Sequence, residues 1–198
     1  MDEKTLTKIF LSASIPSPNR DSIYYETADV VGIRDAVRAL ATVVVPKAHL
    51  IWGGHPAITP VIKFVMAKMS VEMNNHVTLY QSDFYKDRFP VDNAHFRSVK
   101  YTKEKGESKS SLILMRKKMI EENDYRAGIF IGGMEGVIEE YRMFKKAHPN
   151  ALILPVASTG AAAKIIYEEY EQLNNEDLFK NYAYMSVFRK SLITYLKT

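Results

Sequence analysis

Residues 127–140 read AGIFIGGMEGVIEE: an apolar run from Ala127 to Ile131, then Gly132-Gly133-Met134-Glu135-Gly136, then Val137, Ile138, Glu139 and Glu140. A continuous apolar run is what a strand covered on both faces requires, because side chains on either side of it meet core. The glycines end the strand and permit a tight turn. Apolar residues then resume at helical spacing towards residue 147. The stretch therefore reads strand, turn, helix, with backbone N–H groups left open where the helix begins.

The same unit recurs on either side. Residues 8–13 (KIFLSA), 49–52 (HLIW), 76–81 (HVTLYQ) and 151–156 (ALILPV) read as strands, and 96–101 as an edge strand. Residues 28–45 carry Val30, Ile33, Val37 and Leu40 at helical spacing. Thr59-Pro60 reads as an N-cap followed by a first-turn proline, opening a helix to about residue 73. Further helices are expected over 111–122, 136–147 and 160–173, with a helical tail over 184–196, while 82–90 reads as a polar-aromatic loop. This alternation predicts an α/β fold: a Rossmann-like, doubly wound, mainly parallel sheet with helices on both faces. A single domain over 1–198, with a helical tail from about 175, is expected.

Composition narrows the function. The 198 residues contain no cysteine, which excludes a disulfide scaffold, a thiolate metal site and a cysteine nucleophile, and suits a reducing, cytoplasmic location. No apolar run approaches the roughly 18 residues a membrane span needs, and residues 1–8 lack the apolar core of a secretion signal. The net charge of +4 is spread along the chain, and its densest basic run, Arg116-Lys117-Lys118, is followed by Glu121 and Glu122. Neither nucleic acid nor membrane is expected as a partner. His49, His76, His95 and His148 show no metal-ligand spacing, and no lysine follows the glycines as in an ATPase loop. No metal and no cofactor are expected.

Ligands of such sheets lie beyond the carboxyl ends of the strands, so the loops there carry the candidate site. Ser12-Ala13-Ser14, running on to Arg20, offers hydroxyls and a cation, or else is a plain turn. Gly53-Gly54-His55 frees backbone amides before a helix, with His55 as a bond to sugar or base or as an exposed loop residue. Gly132-Gly133-Met134-Glu135-Gly136 repeats the arrangement, and Glu140, one helical turn beyond Gly136, leans back towards the loop. A carboxylate beside a phosphate pocket suits ribose hydroxyls or proton transfer; alternatively, Glu139 and Glu140 form a solvated face with Arg142 and Lys145. Ser158-Thr159-Gly160 completes a ring of phosphate donors, or caps a helix.

Residues 132–140, after their apolar strand, resemble the SLOG superfamily of Rossmann-like proteins. That superfamily includes the LOG cytokinin-activating phosphoribohydrolases, once described as lysine decarboxylases. Phe10-Leu11-Ser12-Ala13-Ser14-Ile15-Pro16 and Trp52-Gly53-Gly54-His55-Pro56-Ala57-Ile58-Thr59-Pro60 look most like the SLOG branch associated with bacterial nucleotide signalling and Thoeris-type antiphage defence. Its sensors bind a cyclic ADP-ribose signal. The resemblance covers residues 8–168. LOG enzymes carry PGGxGTxxE and an Arg-Lys pair on a preceding helix, which places Glu140 as the catalytic glutamate and Arg116-Lys117 as the pair. Here Ile131 stands for the proline, Glu135 is an added residue, and Val137 replaces the threonine. These departures bear on hydrolysis more than on the nucleotide pocket.

The resemblance implies a nucleotide-derived ligand, ADP-ribose-like or cyclic ADP-ribose-like, bound by a sensor or sink. The alternatives are an N-glycosidase using Glu140 and Arg116, and an oligomer-forming interaction module. A homo-oligomer is expected, with a signalling partner protein. The tail residues Met185, Phe188, Leu192 and Tyr195 share one helix face, which serves either assembly or the chain's own core.

Overall fold

A computed structural model describes residues 6–19, 22–169 and 175–196. Six strands, β1 (Lys8–Ser14), β2 (His49–Trp52), β3 (Val77–Ser82), β4 (Val99–Thr102), β5 (Tyr125–Gly132) and β6 (Leu152–Val156), form one sheet in the order β4-β3-β2-β1-β5-β6. All neighbouring pairs are parallel. Parallel neighbours need long crossovers, and helices supply most of them. The helices are α1 (Ser22–Tyr25), α2 (Val30–Val44), α3 (Thr59–Met66), α4 (Ser108–Glu121), α5 (Glu135–Ala147), α6 (Ala161–Glu169), α7 (Glu176–Lys180) and α8 (Tyr184–Leu192). The expected doubly wound fold is present.

Successive residues of a strand face opposite sides of the sheet, so each strand feeds two cores. Ile9, Leu11, Leu50, Leu79 and Ile129 pack with α2, α3 and α8. Phe10, Ile51, Tyr80 and Phe130 pack with α4, α5 and α6. The tail's apolar face is spent within the chain: Tyr184, Val187, Phe188 and Leu192 are buried, and α8 packs on α2.

Some boundaries differ from the sequence reading. Thr59 is the first residue of α3 rather than its cap, and its hydroxyl accepts from Trp52 Nε1 at 3.3 Å inside the core. The helix stops at Met66, and Val71–His76 forms a 3-10 segment. Ser70, Asn74 and Asn75 favour turns over helix interiors, and the Asn74 amide donates to the Val71 carbonyl. The expected loop over 82–90 holds a 3-10 segment, Asp83–Arg88, and a second follows at Val91–His95. The helix expected over 160–173 is described to Glu169; residues 170–174 lie outside the described residues.

β1 pairs with β2 on one side and β5 on the other, yet the chain leaves β1 for β2 and leaves β5 for β6. The two connections depart in opposite directions, and a crevice opens above these strand ends.

Candidate functional site

A cavity of about 470 Å³ occupies that crevice. Its walls are the loops after β1, β2, β3 and β5, together with one face of α4. Ala13 and Ser14 line it. Ser12 is buried two residues before Ser14, on the same face of the strand, and its hydroxyl donates to Glu140 Oε2 at 2.6 Å. Arg20 lies outside the described residues.

Gly53, Gly54 and His55 form the next part of the wall. His55 Nδ1 accepts the Ala57 N–H at 3.2 Å. Burial lowers the His55 pKa from 6.5 to about 4, so the ring is neutral at pH 7 with its proton on Nε2. His49, bonded to Thr78 at 2.8 Å, is likewise lowered to about 4, by burial first and then by Lys8, His76 and Lys100.

These two depressed values set a stability profile. Unfolding restores ordinary histidines that bind protons below pH 6.5, while the folded rings resist protonation until about pH 4. Their contribution to stability is therefore fully present above 6.5 and is lost as pH falls towards 4. His55 alone contributes on the order of 2–3 kcal/mol to this loss. Urea melts at pH 7 and pH 4.5 should show His55→Asn losing less stability over that interval than wild type. Equal losses would mean that His55 is not desolvated.

The loop after β5 divides. Met134, Glu135 and Gly136 line the cavity, and the N-terminus of α5 borders it. First-turn amides of a helix lack intrahelical acceptors, which makes such an end an anion site. Gly132 and Gly133 turn the other way. The Gly132 N–H donates to Thr159 Oγ1 at 2.9 Å, and the Gly133 carbonyl accepts from Ala162 N at 3.2 Å. Gly133 has φ +91, and a Cβ there would lie 2.3 Å from Val137 Cγ2. Their freedom serves the turn, not the cavity.

Ser158, Thr159 and Gly160 stand apart from the cavity, unlike the ring of donors expected from the sequence. Ser158 Oγ donates to the Asn181 carbonyl and Thr159 Oγ1 to the Val156 carbonyl. Gly160 packs against the Thr27 carbonyl. This turn is buried between the start of α2 and α7, so it braces the β5 loop from behind.

Arg116 and Glu140 meet in the cavity wall. Arg116 Nε donates to Glu140 Oε1 at 3.2 Å, and its Nη1 pairs with Glu139. The Arg116 and Glu140 side chains are only 12% and 14% exposed. Arg116 Nη2 lies 2.7 Å from where a Cβ on Gly136 would stand, so the bare glycine lets the guanidinium rest on the first turn of α5. Lys117 is exposed and does not line the cavity. Glu139 and Glu140 are thus not simply a solvated face: Glu139 is an ion-pair partner of Arg116, and Glu140 lines the cavity, held by Ser12 and Arg116. Among the described residues, no cluster of three or more His, Asp or Glu could hold a metal ion.

The opposite wall went unread in the sequence. Gln81, Ser82, Tyr85, Arg88 and Phe89 line it, from the end of β3 and the 3-10 segment after it. Tyr85 is tied to Ser108, at the start of α4, by a 2.5 Å hydrogen bond. The strand-end rule pointed to this loop, but no glycine or motif marks it. No helix among the described residues is long and apolar enough to cross a membrane.

With this geometry in place, likenesses to known proteins are informative. The model of the SLOG cluster3 family matches residues 23–192. The X-ray structure of TM1055, a Northeast Structural Genomics Consortium target, aligns over 87% of this chain and 89% of that one, with a TM-score of 0.55 and 11% identity. At that identity the likeness is one of fold. No curated protein matches the chain.

Proposed function

Because the chain belongs to the SLOG cluster3 family, we propose that its cavity binds a nucleotide-derived ligand, ADP-ribose-like or cyclic ADP-ribose-like, and that the protein is a sensor or sink in nucleotide signalling of the antiphage-defence kind. The observation that carries this reading is the end of the cavity where the N-terminus of α5, Ser14 and the Arg116–Glu140 pair converge. An anion fits the helix end. A carboxylate held in place beside it suits ribose hydroxyls, which donate to it. Gly53 and Gly54 on the β2 side extend the backbone surface for a second phosphate.

Native mass spectrometry of protein purified from cells, followed by calorimetry with ADP-ribose and cyclic ADP-ribose, tests this. A retained nucleotide mass, or micromolar binding of either compound, is expected. Binding of neither, with no retained mass, would remove the nucleotide reading.

A second reading is favoured by the Glu140 contacts. Ser12 and Arg116 fix both carboxylate oxygens, as a general acid or base for N-glycosidic cleavage would require. On the sensor reading, wild type incubated with AMP, NAD or ADP-ribose releases no base. Rapid base release that disappears in Glu140→Gln, with binding retained, would establish a hydrolase instead.

Assembly into a homo-oligomer and a partner protein belong to the same proposal. The tail no longer supports assembly, since its apolar face is buried within the chain. Light scattering with and without ADP-ribose decides the point.

A further inference from the structure

The β3 side of the cavity differs in chemistry from the α5 side. Gln81 is 6% exposed and lines the cavity. Its Nε2 donates to the Gly54 carbonyl at 3.1 Å, which fixes the amide plane. Oε1 is thereby turned away from Gly54, and it accepts no hydrogen bond from the described residues. His55 is the next residue in the same turn. Its Nδ1 is spent on the Ala57 N–H, so Nε2 carries a hydrogen, and that hydrogen has no acceptor among the described residues. The end of β3 and the loop after β2, joined by the Gln81–Gly54 bond, thus bring a neutral acceptor and a neutral donor to one side of the cavity. The surfaces around them are apolar and aromatic: Trp52, Ile58, Phe89 and Pro90. Charge on this side comes from Arg88, which is exposed. The carboxylates and Arg116 belong to the α4–α5 side.

Resting on the reading of the cavity as a nucleotide site, we propose that this side is a base subsite for a 6-aminopurine, with Gln81 Oε1 accepting from the exocyclic amine and His55 Nε2–H donating to a ring nitrogen. A flat heteroaromatic group needs apolar walls and a few uncharged polar contacts. A side chain that presents an acceptor beside a donor reads an amine next to a ring nitrogen. A 6-oxo base would set its carbonyl oxygen against Gln81 Oε1, acceptor against acceptor. Burial keeps His55 neutral down to about pH 4, so its donor role does not depend on pH across the neutral range.

Calorimetry with ADP-ribose, its inosine counterpart and ribose 5-phosphate tests this. Wild type should bind ADP-ribose at least about tenfold tighter than either of the others, since each wrong or missing polar contact costs about a factor of ten. His55→Asn keeps an oxygen in place of Nδ1 to accept the Ala57 N–H, but nothing reaches to Nε2. It should lower ADP-ribose affinity about tenfold and leave ribose 5-phosphate unchanged. Gln81→Met should do the same. Equal weakening of ADP-ribose and ribose 5-phosphate in the folded variants would show that these residues only shape the turn, and would overturn the subsite. Equal wild-type binding of the adenine and inosine compounds would overturn the 6-amino assignment. Tight, equal binding of ribose 5-phosphate and ADP-ribose would overturn the base subsite while leaving the anion end standing. Binding of none of the three would overturn the nucleotide reading and the subsite together.

Discussion

Gly160→Ala will lower stability by about 4 kcal/mol, a large share of what a domain of this size has. Gly160 sits at φ +70 and ψ −158, a region that is essentially closed to residues with a side chain. A Cβ there would fall 1.7 Å from the Thr27 carbonyl oxygen and 2.6 Å from its carbon. Both are backbone atoms, so no rotamer change relieves the clash. The junction is also tied from both sides: Asp29 N donates to the Thr159 carbonyl, and Ala161 N to Thr27 Oγ1. Separating the two segments of this junction would break these bonds and loosen the brace behind Gly132. Gly106 is the control. Its φ is +77, but a Cβ there would meet nothing within 4 Å. Gly106→Ala should therefore cost only about 1 kcal/mol, the backbone contribution alone. Urea midpoints for the two variants check the contrast. A Gly160→Ala protein as stable as Gly106→Ala would show that the β6–α6 turn does not pack on Thr27.

Gly160 also shows where sequence reading stops. A glycine at a strand end signals that something comes close or that φ is positive; it does not say what comes close. At Gly54 the close approach is made by Gln81, which lines the cavity, and by Leu79. At Gly132, Gly133 and Gly160 it is made by Ile33, Val137 and Thr27. These partners come from distant segments or the far side of a turn, so no local pattern names them. The strands were legible because they are short apolar runs whose two-faced burial leaves a direct mark on composition. The tail was legible as an amphipathic helix, yet its partner, α2, was not, because the stripe does not record which surface it covers. Gln81 and Phe89 were missed for the opposite reason. Each is an ordinary residue type made special only by the turn of the chain after β3, where the 3-10 segment replaces an open loop.

Arg116→Ala is expected to abolish measurable ADP-ribose binding and to lower stability by about 2–3 kcal/mol. Arg116 lies between two carboxylates at the first turns of α5, and its Nη2 covers Gly136. Removing one partner of a mostly buried ion pair costs about 3–5 kcal/mol, because the other charge stays behind unpaired. Here Glu140 keeps the Ser12 hydroxyl, which offsets part of that cost. The effect on ligand is larger than the loss of one contact. Without the guanidinium, Glu139 and Glu140 present two uncompensated negative charges to an incoming phosphate, and the helix N-terminus cannot outweigh both. Arg116→Lys separates charge from geometry. A lysine keeps the positive charge but not the planar fork that meets two carboxylates at once, so it should restore most of the stability and only part of the affinity. Glu140→Gln in the Arg116→Ala background should recover some stability, because the stranded charge is gone; the two positions are in contact and will not be additive. Calorimetry with ADP-ribose and urea melts on the four proteins measure all of this. Wild-type affinity in a folded Arg116→Ala protein would place the anion away from the α4–α5 junction, and the Arg116–Glu140 pair would then be a structural bridge between two helices.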